Sequence, residues 1–386
     1  MTDCSIPDVE FQARIERTRK VMAGRGIDTL LAFSTESEPF AVRYYSDYWP
    51  SFETTAVLIP AVGEAALLIG PESMTFATAR SKIKRIIKMK DFRESSQPEY
   101  PGSTMLTWSD VFAEFKTKSL GIAGWHMLPH AIYTGISDAL PQQGKAVEAD
   151  GVVRDVTLRK SPAELCCLRE AARISELGFK AVLENIKPGL TECQLVGFAT
   201  GAMLANGAEA TGYPVWCCSG PNSTQAISRP THRKVREGEI IHFSVGAKVA
   251  GYSASIGRPV VLGKCPDETS KFLQVGLDAE NMTIDLMCAG TVAGEVARKV
   301  HGWIKSRGYG HTILYGPAHG CGQMECEFPF VETSSAFTLE ENMTFMVDVF
   351  MAEKNQGARW EDGIIVRKGA PEQLSSFKRQ LNILKV

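Results

Sequence analysis

The 386-residue sequence has no dominant sign of charge: 42 lysines and arginines face 44 acidic residues, a formal balance of −2. That excludes a global electrostatic pull toward nucleic acid or an anionic membrane. Long apolar runs are also missing. The longest uncharged stretch, Ser119 to Ser137, contains His126, Pro129, His130 and several glycines, which makes it a poor membrane span. The N-terminus, MTDCSIPDVE, carries acids where a secretory leader would carry a basic head and an apolar core. Ten cysteines are too dilute for a disulfide scaffold, and adjacent pairs such as Cys166-Cys167 and Cys217-Cys218 suit a reducing compartment. No short repeat or low-complexity tract interrupts the chain. With 44% hydrophobic and 22% charged residues, what remains is a cytoplasmic globular protein of two domains at roughly 150 residues each.

What is present divides near residue 155. Val9 to Gly26 has helical spacing, with Phe11, Ile15, Thr18 and Met22 on one side. TLLAF, TTAVLIP and EAALLIG then read as short buried strands, and helix and strand signals alternate to about residue 150, as in an α/β module. Ser161-Pro162 with Glu164 is a capping-box start for a helix that stops at Lys187-Pro188-Gly189, and a second helix starts at Thr191. From about 213 the texture changes. IIHFSVGAKVAGYSASIGRPVVLG alternates like a hairpin with Gly246 and Gly251 near its turn. Helices are expected at 267–288 and 291–307, and strands at 312–316, 344–351 and 362–367. Helices followed by a strand-rich face make the second half α+β.

Four separated segments fit one pattern: EGEIIHFSVGAKVAGYSASIGR (237–258), AHGCGQMECE (318–327), MTFMVDVFM (343–351) and RWEDGIIV (359–366). With SGPN at 219–222 and the helix from Ser161, this order and spacing resembles the superfamily of methionine aminopeptidase, prolidase and creatinase. The resemblance implies a pita-bread domain over 156–386, preceded by a creatinase/prolidase-like N-terminal domain over 1–155. In the metallopeptidase members two aspartates eleven residues apart, one histidine and two glutamates hold a pair of divalent ions. The matching positions here are Ser244, Ser255, His319, Asp348 and Glu361.

Charge decides how to read these replacements. Asp348 and Glu361 supply two negative charges where the family supplies four, so two divalent ions would leave two positive charges uncompensated in a buried site. A two-ion centre is therefore not expected. One ion remains arguable, because a histidine and two carboxylates form a facial triad. The main expectation is a metal-free hydrolase of the creatinase kind, without cofactor, cutting a C–N bond in a small nitrogen-containing molecule, with His319, Asp348, Glu361 and Glu327 as catalytic groups. The alternatives are a mononuclear metal-dependent Xaa-Pro peptidase or lyase, and an inactive ligand- or peptide-binding homologue.

Creatine itself is a poor substrate for this pocket. The creatinase base falls on Ile227, one guanidinium-gripping glutamate falls on Gly257, and the carboxylate-holding arginine falls at Glu53 or Thr54. Without metal, Asp348 and Glu361 would be like charges side by side, which calls for a shared proton or a cation between them. That points to a cationic substrate under an aromatic wall. Phe52, Glu53, Trp216, Ile227, Ser244, Tyr252, Ser255 and Cys326 are the expected substrate-binding residues, with Phe52 and Glu53 reaching the site of a neighbour in a homodimer. Cys326 stands where the metallopeptidases carry a substrate-contacting histidine, and Cys321 or Cys326 beside His319 could act as a nucleophile.

Overall fold

A computed structural model describes residues 4–93 and 104–385. The chain forms two compact units, Ile6–Thr157 and Leu158–Val386, the latter joined by the first residues of the chain. In the N-terminal unit a six-stranded mixed sheet runs in the order Ile86–Lys88, Ala66–Ile69, Thr55–Pro60, Thr29–Ser34, Ser119–Ala123, Lys145–Glu148. The strands at 29–34 and 55–60 are buried along their whole length, as their unbroken apolar runs require of strands covered on both faces.

The C-terminal unit carries the larger sheet. Its main path is Glu327–Val331, Ala318–Gly320, Thr344–Glu353, Gln356–Ile365, Tyr252–Leu262, Ile240–Val249, Ala210–Thr211. Two helix pairs cover one face. Pro162–Asn185 and Glu192–Ala205 pack Phe179, Val182 and Leu195 against Phe243, Val245 and Ile256. Asp267–Leu286 and Ala293–Ser306 pack Phe272, Ala279 and Val300 against Val347, Val349 and Trp360. Since strand side chains alternate, the residues between these, Ser244, Ser255, Asp348 and Glu361, all point to the opposite face.

The first of these helices starts as its sequence dictates. Ser161 Oγ accepts from the Glu164 amide, and Glu164 Oε2 accepts from the Ser161 amide at 2.6 Å. Two expectations need correction. No strand forms at 312–316, where a single 3-10 turn, Gly310–Thr312, leads to Gly316-Pro317, and the strand starts only at Ala318. The final strand is not confined to 362–367 but begins at Gln356, paired along its length with Thr344–Glu353. The cysteines also depart from the all-reduced expectation, because Cys4 and Cys166 form a disulfide. Among the described residues no helix is long and apolar enough to cross a membrane.

His242 gives the fold a pH signature. Its ring is fully buried against Phe350. Burial, with the charge of Arg359 behind it, lowers its pKa to about 3. A depressed histidine leaves the unfolded chain binding the proton first, so its contribution is present above about pH 6.5 and lost as pH falls toward 3. Between pH 7.5 and pH 5 this group alone should remove about 2 kcal/mol of stability. Urea denaturation at the two pH values should show that much less pH-dependent loss in His242→Leu than in the parent.

Candidate functional site

Strand register builds the site. Ser244 pairs with Gly257, Gly257 with Glu361, and Glu361 with Asp348, so four neighbouring strands present one straight row. Gly257 is the gap in that row. A Cβ there would lie 2.6 Å from the Glu361 Cβ, so a side chain at this position would require the neighbouring strand to shift. Two residues along each strand, Ser255 and Arg359 share the same face. His319 comes from the adjoining strand Ala318–Gly320.

One ligating atom from each of His319, Asp348 and Glu361 lies within 4.8 Å of the others. The surroundings orient them. His319 Nδ1 donates to the Gly320 carbonyl at 3.0 Å, so Nε2 is the nitrogen that would meet a ligand once it has lost its proton. Asp348 Oδ2 accepts from Arg359 Nη1 at 2.9 Å and from Tyr315 Oη at 3.0 Å, whereas buried Asp348 Oδ1 has no partner. Glu361 Oε2 accepts from Ser244 Oγ, which in turn contacts Tyr213 Oη.

Two groups in this constellation escaped the sequence reading. Arg359 is the first. It lies over the Trp216 ring at 4.7 Å and donates through Nη2 to Tyr315 Oη and the Ala226 carbonyl. It places one positive charge beside Asp348 within the protein itself. Its position two residues before Glu361 was the available signal. Glu325 is the second. It accepts from Ser255 Oγ at 2.8 Å, and its charge acts on Glu361.

These neighbours set the protonation of the cluster. Burial, reinforced by the charge of Glu325 and opposed by Arg359, lifts Glu361 to about 8. Burial also raises Glu325 and Asp348, the latter against the pull of Arg359. For His319 burial opposes the charged form, but the hydrogen bond and charge of Cys326, followed by Asp348 and Glu361, outweigh it and raise the pKa to about 9. A cation entering this cluster must displace protons.

The pocket over this floor has a volume of about 360 Å³. Trp216, Ile227, Tyr315 and Phe330 form its apolar wall, and Cys326 lies at its edge. Ser244 and Ser255 are fully buried beneath it. Other expected site residues lie elsewhere. The Glu327 carboxylate forms an ion pair with Lys160 Nζ at 2.8 Å and is not among the residues lining the pocket. Tyr252 Oη donates to Glu164 at 2.6 Å and ties the hairpin to the helix start. Glu53 is buried in the N-terminal unit, where it accepts from the Glu72 amide, and neighbouring Phe52 is exposed. Cys321 is fully buried and burial pushes its thiol far up, against a nucleophilic role.

Comparison with known proteins fits this geometry. The profile of metallopeptidase family M24 matches residues 166–368, more than half of the chain. The chain belongs to metallopeptidase family M24. The Creatinase/Prolidase N-terminal domain profile matches residues 14–157. A curated relative, the Xaa-Pro dipeptidase of Pyrococcus furiosus, is 23% identical over 374 residues, covering 96% of this chain and all of the relative. The Xaa-Pro dipeptidase of Lactobacillus delbrueckii subsp. lactis is 25% identical over 288 residues, 72% of this chain and 77% of that one. Among solved structures, the Xaa-Pro dipeptidase from Bacillus anthracis superposes with a TM-score of 0.83 at 23% identity, over 97% of this chain and 100% of that one. The prolidase from Thermococcus sibiricus gives 0.86 at 20% identity, over 97% and 99%.

The expected superfamily, the pita-bread domain with its creatinase-type N-terminal partner, and a C–N-bond hydrolase of the prolidase and aminopeptidase P kind are thus borne out. The expectation of creatinase-like, metal-independent hydrolysis is not. The M24 relatives with named activities are Xaa-Pro dipeptidases of a metallopeptidase family, which favours the metal-dependent alternative.

The Lys160–Glu327 pair yields a stability prediction. Breaking an ion pair removed from solvent is destabilising. Glu327→Gln should lose about 3 kcal/mol or more of stability in urea denaturation.

Proposed function

We propose that this M24 protein is a single-ion peptidase that cleaves short peptides at a bond preceding proline. The observation that carries the reading is the cluster of His319, Asp348 and Glu361 with ligating atoms within 4.8 Å and Asp348 Oδ1 buried without a partner. An orphaned carboxylate oxygen is costly in a folded interior unless a ligand satisfies it. The names of the relatives supply the substrate class, and an apolar wall suited to a compact ring supports it.

The donor set fits one ion and not two. A neutral imidazole and two carboxylates are a common divalent set. Ser244 and Ser255 offer only hydroxyls, both already committed to glutamates. With the carboxyls ionised and the His319 imidazole neutral, Glu325, Asp348 and Glu361 less the guanidinium of Arg359 leave two negative charges, the charge of one divalent ion.

A divalent ion in this position supplies a Lewis acid for the scissile carbonyl. The protein supplies the rest. Arg359 and Tyr315 hold Asp348 by Oδ2 and so aim Oδ1 into the cluster. Ser244 fixes Glu361, and the Gly320 carbonyl fixes the His319 tautomer. Trp216, Ile227, Tyr315 and Phe330 exclude water and orient the substrate by shape. The reading includes a cytoplasmic homodimer, in which the exposed Phe52 would be offered to a second copy.

Protein loaded with Mn²⁺, Co²⁺ or Zn²⁺ should hold one ion per chain by elemental analysis and hydrolyse Xaa-Pro dipeptides. His319→Ala, Asp348→Asn and Glu361→Gln should each lower kcat/KM by about 100-fold or more, the loss of several kcal/mol of transition-state stabilisation. Two ions per chain would refute the single-ion centre. Dipeptide cleavage that survives complete chelation would refute the metal dependence.

A further inference from the structure

Glu325 is not one of the positions that the family pattern assigns, yet it is built into the site. The turn between His319 and Glu327 is pinned along its length. Cys321 N donates to the Thr344 carbonyl, Ser253 N donates to the Gly322 carbonyl, and Lys248 Nζ donates to the Gln323 carbonyl. Glu327 closes the far end, accepting from Lys160 through Oε1 and from the Met324 amide through Oε2. A turn held this way fixes the direction of Glu325.

That direction is inward. Glu325 is buried and lines the floor of the pocket. It accepts from Ser255 Oγ at 2.8 Å and lines the same pocket as His319 and Asp348, with its charge acting on Glu361. Ser255 stands where the resemblance to the two-ion enzymes places a carboxylate. The two serines act in parallel, Ser244 on Glu361 and Ser255 on Glu325. The carboxylate missing from the strand at 255 is thus returned by the turn, one hydroxyl further out.

A second carboxyl against Glu361 makes no sense as packing alone. Burying two adjacent acids is costly unless something positive joins them. Arg359 hydrogen-bonds Asp348 and neither glutamate. The unpartnered Asp348 Oδ1 marks the side on which a cation would complete the cluster. We propose that Glu325 is a positioning carboxylate for the single ion, a substitute for the one lost at position 255, which orients Glu361 and supplies the third negative charge of the centre. The inference rests on the single-ion reading above.

Three proteins test it: the parent, Glu325→Gln, and Ser255→Asp combined with Glu325→Gln. Mn²⁺ and Zn²⁺ affinities are measured by chelator competition, alongside the melting temperature of each metal-free protein. Glu325→Gln should bind either ion about 10- to 100-fold more weakly, the usual effect of losing a partner of a ligand. Its metal-free melting temperature should hold or rise, because one of two adjacent buried acids is gone. A merely structural residue would show the opposite, a lower melting temperature at unchanged affinity. The double variant returns a carboxylate to the strand and should recover most of the affinity. Parent-like affinity in Glu325→Gln overturns the inference and leaves the single-ion reading standing. Weak binding that the double variant does not recover overturns the substitution for position 255. A parent that binds neither ion refutes the single-ion reading itself.

Discussion

The site depends on the buried ion pair between Arg359 and Asp348. Neither member reaches solvent to any useful extent, so each would be a stranded charge without the other. The guanidinium does more than neutralise. Its second nitrogen reaches the Ala226 carbonyl and Tyr315, which fixes the loop that carries Ile227 and the segment that carries the tyrosine. Stacked on Trp216, it also closes one wall of the pocket. Because Arg359 and Tyr315 both take Asp348 Oδ2, the other oxygen is left to face the cluster. One interaction therefore sets the wall, the floor and the free donor.

The rigidity of that arrangement comes from the sheet. Ser244, Gly257, Glu361 and Asp348 are register partners across four strands, so their spacing is fixed by backbone hydrogen bonds and not by loops. The same alternation that points them to one face points Phe243, Ile256, Val347 and Trp360 to the helices on the other. Core packing and site geometry are thus two faces of one pattern. A slip of register by one residue would bury the acids among the helices and expose the core.

This explains which parts of the molecule could be read from sequence. The hairpin from 240 to 262, the capped helix at Ser161 and the eleven-residue interval between Ser244 and Ser255 are local patterns, and they fixed the fold and the row. The role of Arg359 was within reach, since i and i+2 on a strand share a face and Glu361 was already identified. Glu325 and Glu327 were not separable in this way. They lie in an irregular turn where alternation gives no guide, and only the contacts of Lys160, Ser255 and Lys248 decide which acid turns inward. A motif match likewise places Glu53 before a strand without saying where its carboxylate goes, and within its own unit Oε1 accepts from the Glu72 amide.

The charge argument made from sequence survives, but its conclusion changes. Counting Asp348 and Glu361 alone gave two negative charges and suggested a cationic substrate to balance them. The structure adds one carboxylate, Glu325, and one cation, Arg359, so the total is unchanged while its distribution is not. Arg359 is committed to Asp348 Oδ2, which leaves Asp348 Oδ1 in a cluster where one ligating atom from each of His319, Asp348 and Glu361 lies within 4.8 Å of the others. An ammonium group on a substrate could neutralise part of that charge, but it donates hydrogen bonds and would meet the imidazole and carboxylates through separate protons. A single divalent ion accepts all three lone pairs at once and matches the charge that is left. Convergence of lone pairs, more than the net charge, is what favours the ion.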